Sequence, residues 1–378
     1  MRRSLHDAWW RLATTPPRSF TDQLVGGVLQ LGAVLYGLGV RTRNLTYDCG
    51  WVRQARVPCP VISVGNLTVG GTGKTTCVEL VVETLRTLGK RPCVLSRGHG
   101  GRRRAPYAVQ VSEGRCTVDG QETTAVDGLA DEPQLLAEHL EGVPVIVGRR
   151  REETGKRGVD DYHADVIVLD DGMQYRRLAR ECEIVLLQAR MPLGGWPLLP
   201  RGPMREPLGA LRRADVILLT KADQSLDVFA ALQERIQRIN PDALVLPASH
   251  DAVGLWAPAT GEVVPLPRLD RMRVGLISSI GDPEGFERTM TRLGATVCRH
   301  AMYPDHYPYT QADWQQALRQ VSQGGAQAII TTEKDAIRLR PWLAQGSPEI
   351  PVWILRIRMR LLEGDQRFHD RLARVCAR

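Results

Sequence analysis

Eight consecutive residues, Thr68, Val69, Gly70, Gly71, Thr72, Gly73, Lys74 and Thr75, have the types and order needed to hold a phosphate. Glycines let a backbone approach an anion closely. A helix starting at Lys74 turns its free N–H groups and the positive end of its dipole toward that anion. Lys74 reaches the terminal phosphates, and the Thr75 hydroxyl suits Mg²⁺. The stretch departs from G-x-x-x-x-G-K-[ST] at its first position, where Thr68 stands; Gly70 and Gly71 supply the close approach instead. A glycine-rich turn with no ligand is the plain alternative. The flanks argue against it: Val61–Val64 is an apolar β-branched run and Lys74–Leu88 reads as a helix, the strand and helix that the motif requires.

Acids that could work beside this cradle come next. Val166–Asp170 reads as a buried strand ending in Asp170, Asp171 and Gly172. An acid in that place holds Mg²⁺ next to a nucleotide, or caps the next helix. Adjacent residues of an extended chain point opposite ways, so one acid serves the metal and the other something else. Asp131-Glu-Pro133 opens a helix with proline in its usual early position, which leaves Asp131 as either a cap or a functional carboxylate. His306 follows Asp305 in a loop, where a lone histidine is ordinarily a surface residue. Leu199–Pro207, a stiff proline-rich loop containing Glu206, is a candidate lip for the phosphate site. Thr220-Lys-Ala-Asp223 echoes the N-K-x-D pattern that reads guanine, with Thr in first place.

Composition narrows the class. With 378 residues, 43% of them hydrophobic and 24% charged, the chain is a folded globular protein long enough for two domains. Its eight cysteines include no C-x-x-C pair, which excludes the common zinc spacings and fits a reduced compartment better than a disulfide framework. A formal charge of +8 and a pI near 9.2 favour an anionic partner: nucleotide, phospholipid surface or nucleic acid. Aromatic residues make up 5%, too few for the stacking platforms of a single-strand binder, so no nucleic-acid partner is expected. The arginine clusters at 102–104, 149–151, 176–177 and 356/358/360 read as solvated surface.

The elements that position these residues follow from periodicity. Apolar runs at Pro92–Leu95, Val143–Val147, Val166–Asp170, Ile184–Leu187, Val216–Thr220 and Ala243–Leu246 alternate with helical patterns such as Asp131–Leu140 and Leu226–Ile239. That alternation predicts an α/β fold, a P-loop NTPase-like doubly wound parallel sheet. Tyr107–Val126 predicts a β-excursion. A proline-rich hairpin linker is expected over 251–272, between a nucleotide-binding domain at 44–250 and a smaller α/β domain at 273–378. Leu24–Val40 is uncharged and flanked by Arg18, Arg41 and Arg43. Slightly short for a span, it predicts a helix in the membrane interface within an N-terminal region 1–43, with a core helix as the alternative. Trp9 and Trp10 suit such an interface.

Taken in order, Val64–Thr75, Leu95-Ser-Arg-Gly98, Gly128–Pro133, Leu169-Asp-Asp-Gly-Met-Gln174, Gly202–Pro207, Asp305-His306 and Thr331-Thr-Glu-Lys-Asp335 resemble the tetraacyldisaccharide 4′-kinases of lipid A synthesis. The resemblance covers about Tyr47 to Trp353. It implies transfer of the γ-phosphoryl group of ATP, with Mg²⁺, to the 4′-hydroxyl of an acylated glucosamine disaccharide 1-phosphate. The enzyme would sit on the cytoplasmic face of the inner membrane, peripheral or N-terminally anchored, against anionic lipid. It also implies Asp131 as catalytic base and His306 as its partner, Asp170, Asp171 and Glu206 around the metal, and Arg151 near the phosphates. The chain departs from the family pattern at His99, Met173, Tyr175, Tyr307 and Thr76, which bears on fine substrate preference. A GTP-dependent switch or chaperone built on the same cradle is the competing reading.

Overall fold

A computed structural model describes residues 9, 13, 19–98, 101–103, 106–123, 128–191, 195–224, 226–343 and 350–377. Expectations resting on Trp10, Arg18, His99, Arg104 and Val126 lie outside the described residues. Helix α1, Phe20–Asp48, runs for 29 residues from an N-cap at Ser19, whose hydroxyl accepts from the Asp22 amide. At 1.5 Å per residue it is roughly 44 Å long, well beyond the predicted 24–40. Strand β1 is Val61–Asn66, α2 Lys74–Thr87, and β2 Pro92–Ser96. The excursion forms β3 (Tyr107–Ser112), β4 (Arg115–Val118) and β5 (Gln121–Glu122). Then come α3 (Asp131–His139), β6 (Val145–Val147), α4 (Arg151–Tyr162), β7 (Val166–Asp170), β8 (Cys182–Gln188), β9 (Val216–Thr220), α5 (Leu226–Ile239) and β10 (Leu244–Ala257). The second lobe holds β11 (Glu262–Val264), β12 (Arg273–Ser278), α6 (Pro283–Arg292), β13 (Thr296–Met302), α7 (Gln311–Ser322), β14 (Ala328–Thr332) and α8 (Glu333–Leu343). Strand β15 (Val352–Leu361) and helix α9 (Asp365–Cys376) follow.

All the strands join one sheet, in the order β13-β12-β14-β15-β10-β9-β8-β1-β7-β2-β6-β3-β4-β5, with β11 on β10. From β10 through β9, β8, β1, β7 and β2 to β6 the pairing is parallel, the doubly wound pattern expected from the sequence. Strands β13, β12, β14 and β15 of the second lobe pair in parallel, and β11 lies antiparallel on β10. Strands β10 and β15 join the two lobes as an antiparallel ribbon, paired from Ala248↔Leu361 to Trp256↔Ile354. The boundary expected at 251 therefore falls inside one continuous strand. Pro247 does not interrupt β10, which pairs with β9 on one edge and then with β15 on the other. Helix α9, assigned to the second domain by sequence order, packs on the first lobe instead. Its Phe368, Leu372 and Val375 share a core with Val78, Val81 and Leu85 of α2 and with the inward residues of β1 and β7. Each such fully buried aliphatic side chain contributes roughly 1.5–3 kcal/mol.

Helix α1 is not a core helix. Leu24, Val28, Leu31, Val34, Leu35 and Leu38 are exposed, while Gly26, Ala33, Gly37 and Val40 face the protein. By length and composition it is apolar enough to cross a membrane, with a mean hydropathy of 1.5 over its best window. Its buried face rests on the proline-rich loop: Gly32 and Gly37 abut Pro200 and Leu198, and the Tyr36 hydroxyl donates to the Arg205 carbonyl at 3.0 Å.

Candidate active site

The phosphate loop lies between β1 and α2, at the carboxyl end of the central strand, where ligands of open α/β sheets bind. Gly73 begins α2 with φ 86° and no side-chain cap, so the first helical amides remain available to an anion. The loop is braced from both sides. Asn66 donates to the Thr72 hydroxyl at 2.8 Å, and Thr76 to the Gly73 carbonyl at 2.9 Å. The Val69 amide bonds the Pro203 carbonyl at 2.8 Å and the Arg205 amide the Leu67 carbonyl at 2.7 Å, which stitches the proline-rich loop along the cradle's edge.

Beside the cradle, β7 delivers both acids to one corner. Asp170 ends the strand, and Asp171 steps into left-handed backbone at φ 52°, which reverses the opposite orientation that an extended pair would have. Asp170 accepts from Ser96 at 3.0 Å. Burial, then the charges of Glu132 and Asp171, pushes its carboxyl up to about 6. Burial opposes ionisation of Asp171 too, but Lys74 at 3.6 Å and Arg205 outweigh it and hold that carboxyl below the usual range. A buried carboxylate crowded by two other acids calls for a cation. Together with the buried Thr75 hydroxyl the corner offers hard oxygen donors, the set that suits Mg²⁺ carried on nucleotide phosphates. Thr75, Asp170 and Asp171 would hold it. Bound there, it would neutralise charge on the phosphates.

Across the cleft stands a carboxylate–histidine pair. Asp131 is the first residue of α3, and the cap position belongs to Ala130, so its carboxylate is not spent on capping. His306 Nδ1 lies 3.6 Å from Asp131 Oδ2, and this partner raises the imidazole's pKa. Arg338 Nε sits 3.4 Å from the same oxygen. Beside them Lys334 of α8 bonds Glu132 at 2.7 Å. Lys334 pulls the Glu132 carboxyl down to about 2, and Lys74 and His306 act on it in the same direction. Charges from both lobes thus converge on one space between Lys74, Asp170 and Asp131. His306 holds its place through left-handed backbone at φ 56°, its amide bonded to the Ser279 carbonyl. The base of that loop is fixed by buried Asp335, which accepts from Ser279, Thr332 and Arg338.

Two expected residues sit elsewhere. Both oxygens of Glu206, fully buried, are taken: Arg43 bonds one at 3.2 Å, and Asn44 and Arg213 bond the other at 2.9 Å each. It ties the end of α1 to the proline-rich loop and has no described contact with the acidic corner. Arg151 is buried behind β7, donating to the Gly148 carbonyl at 2.5 Å and the Asp170 carbonyl at 3.2 Å. Tyr175, one of the departures, accepts from the Arg151 amide and donates to Glu152. Sequence reasoning gave no role to Arg205, Lys334 or Arg338. The ordered Gly202–Pro207 and Thr331–Asp335 motifs were the signal that could have found the first two; Arg338 lies outside both. Nor does the guanine-like motif stand open: Asp223 pairs with Arg292 at 2.6 Å, and Lys221 with Asp282.

Comparison with known proteins agrees with this geometry. The sequence profile of the tetraacyldisaccharide-1-P 4′-kinase family matches residues 27–377. A tetraacyldisaccharide 4′-kinase of Syntrophus aciditrophicus is 39% identical over 341 residues, 88% of this chain and 89% of that protein. One from Anaeromyxobacter dehalogenans (strain 2CP-C) is 36% identical over 361 residues, 95% of this chain and 92% of its own. The crystal structure of LpxK from Aquifex aeolicus in complex with ATP superposes with a TM-score of 0.69 at 28% identity, covering 93% of this chain and 99% of that one. On sequence and fold alike, the chain belongs to the tetraacyldisaccharide 4′-kinase family.

Proposed function

We propose that this kinase transfers the γ-phosphoryl group of ATP to the 4′-hydroxyl of a tetraacyldisaccharide 1-phosphate with Asp131 as the base. As the acceptor oxygen bonds phosphorus and the bond to ADP breaks, the hydroxyl proton passes to the Asp131 carboxylate. His306 orients that carboxylate. Lys74 and the amides of residues 68–75 hold the β- and γ-phosphates. Arg151 supports the strand end that carries Asp170 rather than reaching out to phosphate. The observation that carries the reading is the Asp131–His306 pair, one residue from each lobe, beside the Lys74–Asp171 corner. Phosphoryl transfer is mostly positioning and charge stabilisation, and this arrangement supplies both.

An acceptor with several acyl chains stays in the bilayer, so the kinase meets it there. The exposed face of α1 lies in the apolar layer and Arg41, at its far end, meets anionic lipid on the cytoplasmic face, where ATP is found. Transfer of label from ATP to the disaccharide 1-phosphate tests the chemistry. Asp131→Asn should lower turnover by roughly 10²–10⁴-fold while ATP binding persists. Unchanged turnover in that variant would remove Asp131 from the role.

A further inference from the structure

The rim of the phosphate loop opposite the acids holds a polar group that the mechanism above does not use. His250 lies on β10 two residues past Ala248, whose register partner is Thr220, the last residue of β9. Its imidazole is pressed against the loop: a Cβ placed on Gly73 would come within 2.0 Å of Nε2 and 2.5 Å of Cε1. Both ring nitrogens are shut off from solvent, and neither has a hydrogen-bond partner among the described residues. Buried polar groups are almost always satisfied, so an orphaned one at a ligand site points to a ligand. Burial, with Lys221 adding to it, drops the ring's pKa to about 4. The neutral imidazole therefore keeps one N–H donor and one lone pair to offer.

Direction decides what it meets. Lys74 leans toward β7, where Asp171 lies 3.6 Å away, and this fixes the reacting end of the nucleotide. The sheet order puts β8, β9 and β10 on the other side of β1. The remainder of a nucleotide seated in the loop leaves over those strands, where Lys221 follows the end of β9 and His250 lies just beyond that level on β10. Lys221 and Asp223 are already paired with Asp282 and Arg292 of the second lobe. Gly281 closes over the same region, where a Cβ would lie 3.2 Å from the Gly71 nitrogen.

We propose that His250 is a nucleotide-contacting residue, its ring nitrogen hydrogen-bonding the ribose of ATP where the nucleoside leaves the loop over Gly73. The proposal rests on the kinase reading of the loop. It separates from a purely structural role because it concerns the nucleoside half of the ligand and not the terminal phosphates.

Calorimetric titration of the full chain with Mg·ATP, and separately with tripolyphosphate, tests it. His250→Phe, which fills the space without a donor, should raise the Kd for ATP about 10-fold, the worth of one hydrogen bond, and leave tripolyphosphate within about twofold. The KM for ATP should rise while that for the lipid stays, and His250→Asn should recover most of the loss. Equal weakening of both ligands would mean that the ring only props the loop. No change in either would mean that it touches nothing. Both results overturn the proposal. Should His250→Phe fail to fold, as judged by circular dichroism, His250→Ala takes its place and the same ratio decides. A wild-type chain that binds ATP yet labels no lipid would sink the kinase reading while leaving this ratio intact.

Discussion

Arg205 places Nη1 2.9 Å from each carboxylate oxygen of Asp171, while its own carbonyl accepts the Tyr36 hydroxyl of α1 at 3.0 Å. One residue thus touches both the partner of Lys74 and the exposed apolar helix. Asp171 owes its ionised state to Lys74 and Arg205 together, so the arginine is a positioning residue for the acidic corner.

Arg205→Ala should lower kcat by roughly 10–100-fold, the loss of a charge-assisted contact in a site half shielded from water. Arg205→Lys restores charge without the planar fork and should recover only part. Steady-state kinetics on both variants check this. An alanine variant with wild-type kcat would sever Arg205 from the site.

Metal dependence should sort the acids. Asp170→Asn and Asp171→Asn are expected to raise the Mg²⁺ concentration needed for half-maximal activity by about 10-fold or more. Glu206→Gln should leave that concentration unchanged and lower thermal stability instead, by about 2–4 kcal/mol, because Arg43 and Arg213 lose a buried counter-charge. Magnesium titrations beside melting curves give the answer. A shifted Mg²⁺ requirement in Glu206→Gln would return that residue to the metal.

His139 predicts a pH effect on stability. It lies between Glu79 of α2 at 2.6 Å and Glu333 of α8 at 2.9 Å, with Arg358 of β15 3.0 Å from its ring. Burial alone would lower its pKa, but the two carboxylates win and raise it from 6.5 to about 9. A raised folded pKa means that the stabilisation is complete below 6.5 and disappears as pH climbs through about 9. The melting temperature should therefore fall between pH 7 and 9.5, and His139→Gln should flatten that fall. A wild-type melting temperature level across this window would contradict the assignment.

The exposed face of α1 predicts membrane behaviour. Leu31→Glu with Leu35→Glu puts two charges where lipid is expected, at about 2.5–3.5 kcal/mol each near the bilayer centre. Co-sedimentation with anionic vesicles should fail while ATP binding persists. Substitution is cleaner than removing residues 1–40, because Tyr36 and Gly37 pack on the proline-rich loop. Undiminished sedimentation would leave α1 without a bilayer role.

What the sequence disclosed was local. Thr68–Thr75 could be read because spacing within eight residues carries the chemistry, and β1, β7 and β9 because a fully buried strand is a continuous apolar run. Helix α4 escaped because Arg151–Tyr162 is polar nearly all round and packs through Gly155 and Gly158. The pairing of Lys334 with Glu132 joins residues 202 apart, and that of Asn44 with Glu206 joins residues 162 apart. No local pattern announces such partners. Glu206 shows the cost: an acid near a phosphate loop looks like a metal ligand until the two arginines that hold it are seen.

Helix α9 sets the order in which this protein is finished during synthesis. The apolar face of α2 waits for Phe368, Leu372 and Val375, the last part of that core to leave the ribosome. Helix α1 emerges long before. A nascent chain therefore has its exposed apolar helix made while the α9 side of the nucleotide lobe's core is still open.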